Sequence, residues 1–288
     1  MPIGEAGNVF EACPDAATRS WRQSPREGEG SRFVPRFQCP ARYCRRARAR
    51  SRAIRVLGAL KALITGRLLS QRPGDAVLGE EGGESGRGRV RWIIDPLDGT
   101  VNYLYGLADW AVSIAAEVEG TLVAGVVAAP AHDEVFTAVS GGGAWLQAGA
   151  APPVPLRCNT GVTLAQALVA TGFGYEAGRR KIQGEVVAAV LPRVRDIRRG
   201  GSCAVDLCSV AAGRVDAFYE RGVNYWDYAA GGLIATEAGA RLGGLAGKQA
   251  SPELAIAAEP VLFGELHDLL ASLHPDRDGP GPVPAGPG

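Results

Sequence analysis

The stretch Asp95-Pro96-Leu97-Asp98-Gly99-Thr100 constrains this chain more than any other. It follows the apolar run RWII and precedes VNYLYG, which reads as a short helix. Two carboxylates three residues apart at the end of a buried strand are unfavourable unless they are paired or hold a cation. Pro96 bends the chain, and Gly99 lets backbone approach a ligand closely. Asp98, Gly99 and Thr100 would then offer free N–H groups where a helix starts, a natural seat for phosphate. An all-oxygen donor set points to a hard cation of the magnesium type. The alternative is an Asp-rich turn that merely caps a helix.

Other acids stand at similar places. Glu80 and Glu81 end the short strand AVLG, where adjacent acids are often just solvated. Trp226-Asp227 opens a helix of small apolar residues, and Asp227 could be a plain N-cap. Ser202 starts a helix after Gly200-Gly201, as an anion seat or a cap. Glu220 ends the strand VDAFYE.

The periodicity predicts an amphipathic helix over 53–70 and strands over 76–79, 90–95, 111–118, 122–129, 134–139 and 144–146. GGESGRG (82–88) reads as a loop. The Pro-rich stretch 148–155 is the best internal boundary. Beyond it, strands alternate with helices over 181–191, 202–213, 227–239 and 260–273. The sum is a mixed α/β chain with hairpins and helix-linked strands. The expected divisions are 1–52, 53–150, 151–274 and a disordered tail over 275–288.

Charge is unevenly spread. The net charge is +1, yet residues 1–56 hold twelve arginines against five acids, a local +7. The remaining body is mildly acidic, so nucleic acid is not an expected partner. No apolar run approaches the roughly 18 residues needed to span a bilayer. Six cysteines without regular spacing, and no basic-then-apolar leader, fit the cytoplasm. Cys158, Cys203 and Cys208 read as core residues, and His132, His267 and His274 as surface residues remote from the motifs.

Together GEEGG, WIIDPLDGTVNYLYG, GSCAVDLC and YWDYAAG resemble the inositol monophosphatase family, most closely its bacterial inositol-1-monophosphatase branch, from about Leu68 to Leu273. The resemblance implies a layered αβαβα sandwich and a magnesium-dependent phosphomonoesterase, usually a homodimer. Glu80, Asp95 and the Leu97 carbonyl would hold one Mg2+, and Asp95, Asp98 and Asp227 a second. Glu80 would hold a third through water. Thr100 with Glu80 would orient the attacking water. The Gly99 and Thr100 amides would hold phosphate. Ser202, Cys203 and Glu220, with Asp227, would face the polyol. The implied substrate is a small phosphorylated polyol, by default inositol-1-phosphate. Histidinol phosphate, fructose-1,6-bisphosphate and 3′-phosphoadenosine phosphates are alternatives, as is a catalytically impaired binding protein.

Residues 1–60 lack what that family carries there. No lysine precedes Lys61, and no threonine lies between Thr18 and Thr65. The family's lysine-bearing loop and threonine–aspartate hairpin are therefore missing. Residues 1–52 have neither helical nor strand periodicity and are expected to be disordered. They read either as frameshifted GC-rich coding sequence or as a basic arm for nucleic acid or another partner.

Overall fold

Strand β3 (Val90–Asp98) organises the first half of the chain. Its RWII run is buried on both faces, so it must be covered twice. A computed structural model describes residues 41–80 and 83–277. In it β3 lies parallel to β1 (Ala76–Gly79), which pairs antiparallel with β2 (Gly83–Ser85). On the other side follow the antiparallel strands β4 (Ala111–Val118), β5 (Thr121–Ala129), β6 (Glu134–Val139), β7 (Gly143–Ala148) and β8 (Val154–Pro155). The order of this eight-stranded sheet is β2-β1-β3-β4-β5-β6-β7-β8. A second sheet of order β10-β9-β11-β13-β12 holds β9 (Leu168–Thr171), β10 (Asp196–Arg198), β11 (Ala217–Glu220), β12 (Arg241–Gly243) and β13 (Ala255–Ala258).

Helices fill the layers. Helix α1 (Ala41–Gln71) covers the outer face of the first sheet, with Ile64 and Leu68 against Val77, Trp92, Ile94 and Ile114. Helix α2 (Thr100–Tyr105) is the short turn after β3. Helices α4 (Cys203–Ala211) and α5 (Tyr225–Glu237) lie between the sheets, where Leu207 and Ile234 meet Ile93 and Val127 on one side and Phe218 and Ala257 on the other. Helices α3 (Ala177–Val190) and α6 (Pro260–Leu273) close the far side through Val186, Val190, Leu262 and Leu266. This is the αβαβα sandwich. No helix among the described residues is long and apolar enough to cross a membrane.

Four details depart from the sequence reading. Helix α1 begins at Ala41, not near Ala53. Its first residues are rich in alanine and arginine, which favour helix without needing an apolar stripe. The loop expected over 82–88 contains β2, whose side chains are all exposed; such a strand leaves no apolar alternation to read. The boundary stretch 148–155 ends in β8, which still belongs to the first sheet. Helix α5 starts two residues before Asp227, with Asn224 as its N-cap. The expectations for residues 1–40 and for the tail beyond 277 lie outside the described residues, as does Glu81.

Candidate active site

The site begins with a bulge. Asp95 pairs with Ser113, yet Asp98 pairs with Ala111, so three steps on β3 answer two on β4. In a regular strand, residues three apart face opposite sides. Ile93 faces the central helices, whereas Trp92 and Ile94 face α1. Asp95 continues on the Ile93 side. The extra residue then inverts the alternation, so Leu97 packs outward on Leu57 and Trp110. Asp98 therefore turns inward beside Asp95, and one irregularity aims both carboxylates at the same place.

Asp227 comes from the first turn of α5. Its Oδ2 accepts from the Asn224 amide at 2.6 Å, closing a capping box. The Asp227 and Asp95 carboxyl groups lie close enough to share a proton. Glu80, just after β1, adds its charge to both. Asp98 Oδ2 accepts from the Ser202 hydroxyl at 2.5 Å and from the Ala204 amide at 2.7 Å. Ser202 is also the N-cap of α4, accepting from the Val205 amide at 3.2 Å. Cap and site residue are thus one side chain.

The electrostatics follow from burial and crowding. Burial first, then the charges of Asp98, Asp227 and Glu80, push Asp95 well above the usual carboxylate range. Burial pushes Asp98 up to about 6 despite the Ser202, Ala204 and Gly99 donors. Burial and then Asp98 push Asp227 up to about 7. Glu220 rises to about 8 through burial, Asp206 and Asp98, and Arg199 pulls it back. Asp206 on α4 also rises to about 8, mainly through burial, and its Oδ2 has no hydrogen-bond partner.

Among the described residues, no three side chains already stand as a closed metal cage. Asp98 and Asp227 each turn an oxygen onto protein donors instead. The donor set nonetheless fits a hard divalent cation: four coupled carboxylates and one nearby carbonyl, all oxygen. Such a cation would relieve the repulsion that raises Asp95 and Asp227.

Around the acids the backbone is tightly set. Gly99 has φ +81°, and a Cβ there would lie 2.7 Å from the Asp109 carbonyl oxygen. Glycine is thus required between Asp98 and α2. The first-turn amides of α2 lack helical partners. The Thr100 hydroxyl donates to the Leu97 carbonyl at 2.9 Å, leaving that oxygen a second lone pair. Cys203 is buried next to Ser202 at the start of α4, and burial and then the charges of Glu220, Asp98 and Asp227 hold its thiol well above the usual range.

Four residues here carry no obvious sequence signal. Asp206 sits inside an apolar helix, and Arg199 precedes a glycine pair. Asn102 is one residue past the motif. His132, read as remote, pairs through Nε2 with Asp109 Oδ1 at 2.9 Å, and the Asp109 carbonyl walls the Gly99 turn. Only the paired placement of Asp206 after the Gly-Gly-Ser turn could have flagged it.

The sequence model of the Inositol monophosphatase family matches residues 53–277. Over 186 residues the chain is 52% identical to the inositol-1-monophosphatase SuhB of Mycobacterium tuberculosis, covering 62% of this chain and 64% of that protein. The chain thus spans just under two thirds of that relative's length in the match. It is 47% identical over 219 residues to the inositol-1-monophosphatase of Mycobacterium leprae, covering 73% of this chain and 74% of the relative. The solved structure of Mycobacterium tuberculosis SuhB superposes with a TM-score of 0.68 at 44% identity, covering 81% of this chain and 93% of that one.

Proposed function

Because this chain belongs to the inositol monophosphatase family, we propose that it is a magnesium-dependent phosphomonoesterase acting on a small polyol phosphate, with inositol-1-phosphate as substrate. The observation that carries this reading is the bulge that turns Asp95 and Asp98 to one face beside the Gly99–Thr100 turn, where the charges of Asp227 and Glu80 also reach Asp95. Two relatives carrying the name inositol-1-monophosphatase support the choice of substrate.

In this reading Glu80, Asp95 and the Leu97 carbonyl would hold one Mg2+, and Asp95, Asp98 and Asp227 a second. The chemistry supplied there when Mg2+ is bound would be neutralisation of phosphate charge and acidification of water. The Gly99 and Thr100 amides orient the phosphate oxygens. The Thr100 hydroxyl and the Glu80 carboxylate orient the attacking water, and Glu80 accepts its proton. Ser202 and Glu220 face the polyol hydroxyls. In-line attack breaks the phosphorus–oxygen bond, and the polyol leaves with a proton from solvent. Residues 53–150 form an N-terminal metal-binding subdomain and 151–274 a C-terminal α/β subdomain that adds Asp227, in a cytoplasmic homodimer.

The test is release of inorganic phosphate from inositol-1-phosphate by the full chain, with and without Mg2+. Histidinol phosphate, fructose-1,6-bisphosphate and 3′-phosphoadenosine phosphate serve as competitors. Mg2+-dependent release that is fastest from inositol-1-phosphate is expected. Faster release from a competitor moves the substrate assignment. No release from any of them overturns the enzymatic reading.

A further inference from the structure

Asn102 is 3% exposed and sits between two segments that the sequence holds far apart. Its Nδ2 donates to the Asp109 carbonyl at 2.5 Å and to the Gly200 carbonyl at 2.9 Å. An amide nitrogen carries two hydrogens, so both are used. The Asp109 carbonyl is the group that closes on Gly99, and Gly200 leads through Gly201 to Ser202. Asp98 hangs between the same two segments, on β3 at one end and on Ser202 and the Ala204 amide at the other. Behind Asp109, His132 Nε2 holds the side chain from within the β5–β6 connection.

We propose that Asn102, backed by the His132–Asp109 pair, is a positioning clamp. It fixes the separation between the Gly99–Thr100 turn and the Ser202 turn, and so the geometry at Asp98. Neither Asn102 nor His132 need touch a substrate. Asn102 is buried and bridges two carbonyls, so its loss would take a donor from each. The His132–Asp109 pair is partly exposed and restrains one wall only, so its share is small. The functional consequence rests on the reading of the Gly99–Thr100 turn as a phosphate seat; the structural clamp does not.

The experiment uses the full chain and the variants Asn102→Ala, Asn102→Asp, His132→Ala and His132→Gln. Hydrogen exchange is followed in peptides covering 99–109 and 199–204, beside kcat and KM with Mg2+. Asn102→Ala should speed exchange in both peptides and leave distant ones unchanged. It should lower kcat by about 10²-fold, the effect of a misplacement of about 1 Å. Asn102→Asp keeps the volume, sets an acceptor against two carbonyls, and should behave alike. His132→Ala should raise KM by no more than about fivefold, with kcat nearly intact. His132→Gln, whose amide still reaches Asp109, should restore KM. Unchanged exchange in either peptide for both Asn102 variants overturns the clamp. So does a kcat within about twofold of the parent chain for both Asn102 variants. Should Asn102→Ala fail to fold, Asn102→Asp and the His132 pair decide the matter. A parent chain that releases no phosphate, with exchange changing as described, removes the enzymatic reading and leaves the clamp standing.

Discussion

Ser202 Oγ donates to Asp98 Oδ2 at 2.5 Å across 104 positions of sequence. The bond joins the end of a strand in one sheet to the cap of a helix that underlies the other. It also decides which way Asp98 can turn. Oδ2 is committed to the Ser202 hydroxyl and the Ala204 amide, so a cation held by Asp98 would meet Oδ1.

Asp98→Asn keeps this shape, since the amide oxygen can accept from Ala204. It removes a crowded charge whose pKa burial has raised to about 6. Melting temperature should hold or rise, because a desolvated like charge is gone. Mg2+-dependent hydrolysis should fall by about 10³-fold or more, as the second cation loses a ligand. Near-parent turnover in Mg2+ would contradict the ligand role.

The acidic cluster makes stability depend on pH in a definite direction. Asp98, Asp227, Asp206 and Glu220 have folded values of about 6, 7, 8 and 8. All lie above the unfolded carboxylate value of about 4. The folded chain therefore binds protons that the unfolded chain has already lost. That stability is complete below about pH 4 and disappears as pH rises through 6 to 8. Without divalent cation, melting temperature should fall between pH 6 and pH 8. Added Mg2+ must displace those protons, so its stabilising increment should grow over the same interval. An increment independent of pH would mean that Mg2+ binds neither Asp98 nor Asp227.

Gly172 offers a way to disturb the polyol side alone. A Cβ there would lie 2.2 Å from the Glu220 carboxylate, so Gly172→Ala must push that side chain aside. The expected result is a KM for inositol-1-phosphate raised about tenfold, a loss near one hydrogen bond to a charged group. Mg2+ affinity, read by calorimetry, should stay put. A parallel loss of Mg2+ affinity would tie Glu220 to the metal ligands.

Leu57 on α1 packs against Leu97 and Trp110 and ties the helix to the body. Residues 1–52 are rich in arginine, proline, serine and glycine and offer few apolar side chains to bury, so trypsin should trim the arginines before Ala53 and stop at a stable body. That body should keep the parent melting temperature to within about 2 °C. Persistent protection of Arg22 through Arg50 would show that the basic segment folds onto the rest.

Much of the architecture was legible because burial writes itself into periodicity. The strands 76–79, 111–118 and 134–139 and the helix 260–273 occur where alternation or a helical stripe placed them. The acids Asp95 and Asp98 were legible as chemistry but not as geometry. Only the pairing with Ser113 and Ala111 reveals the bulge that puts them on one face. The start of α1 and strand β2 were hidden for the opposite reason: neither is held there by an apolar pattern. Asn102 and His132 act through contacts 98 and 23 positions away, which no local spacing can encode.

The layered arrangement also sets a timetable. Asp95 and Asp227 stand 132 positions apart, so a ribosome that has delivered the first carboxylate has yet to make the second. At about 5–20 residues per second, roughly 7 to 26 s separate them. Through that interval the nascent chain exposes a half-formed acidic cluster and the underside of an eight-stranded sheet. Docking of α5 must then follow before the Asp227 carboxyl group can stand beside that of Asp95, so the complete cluster is a late product of synthesis.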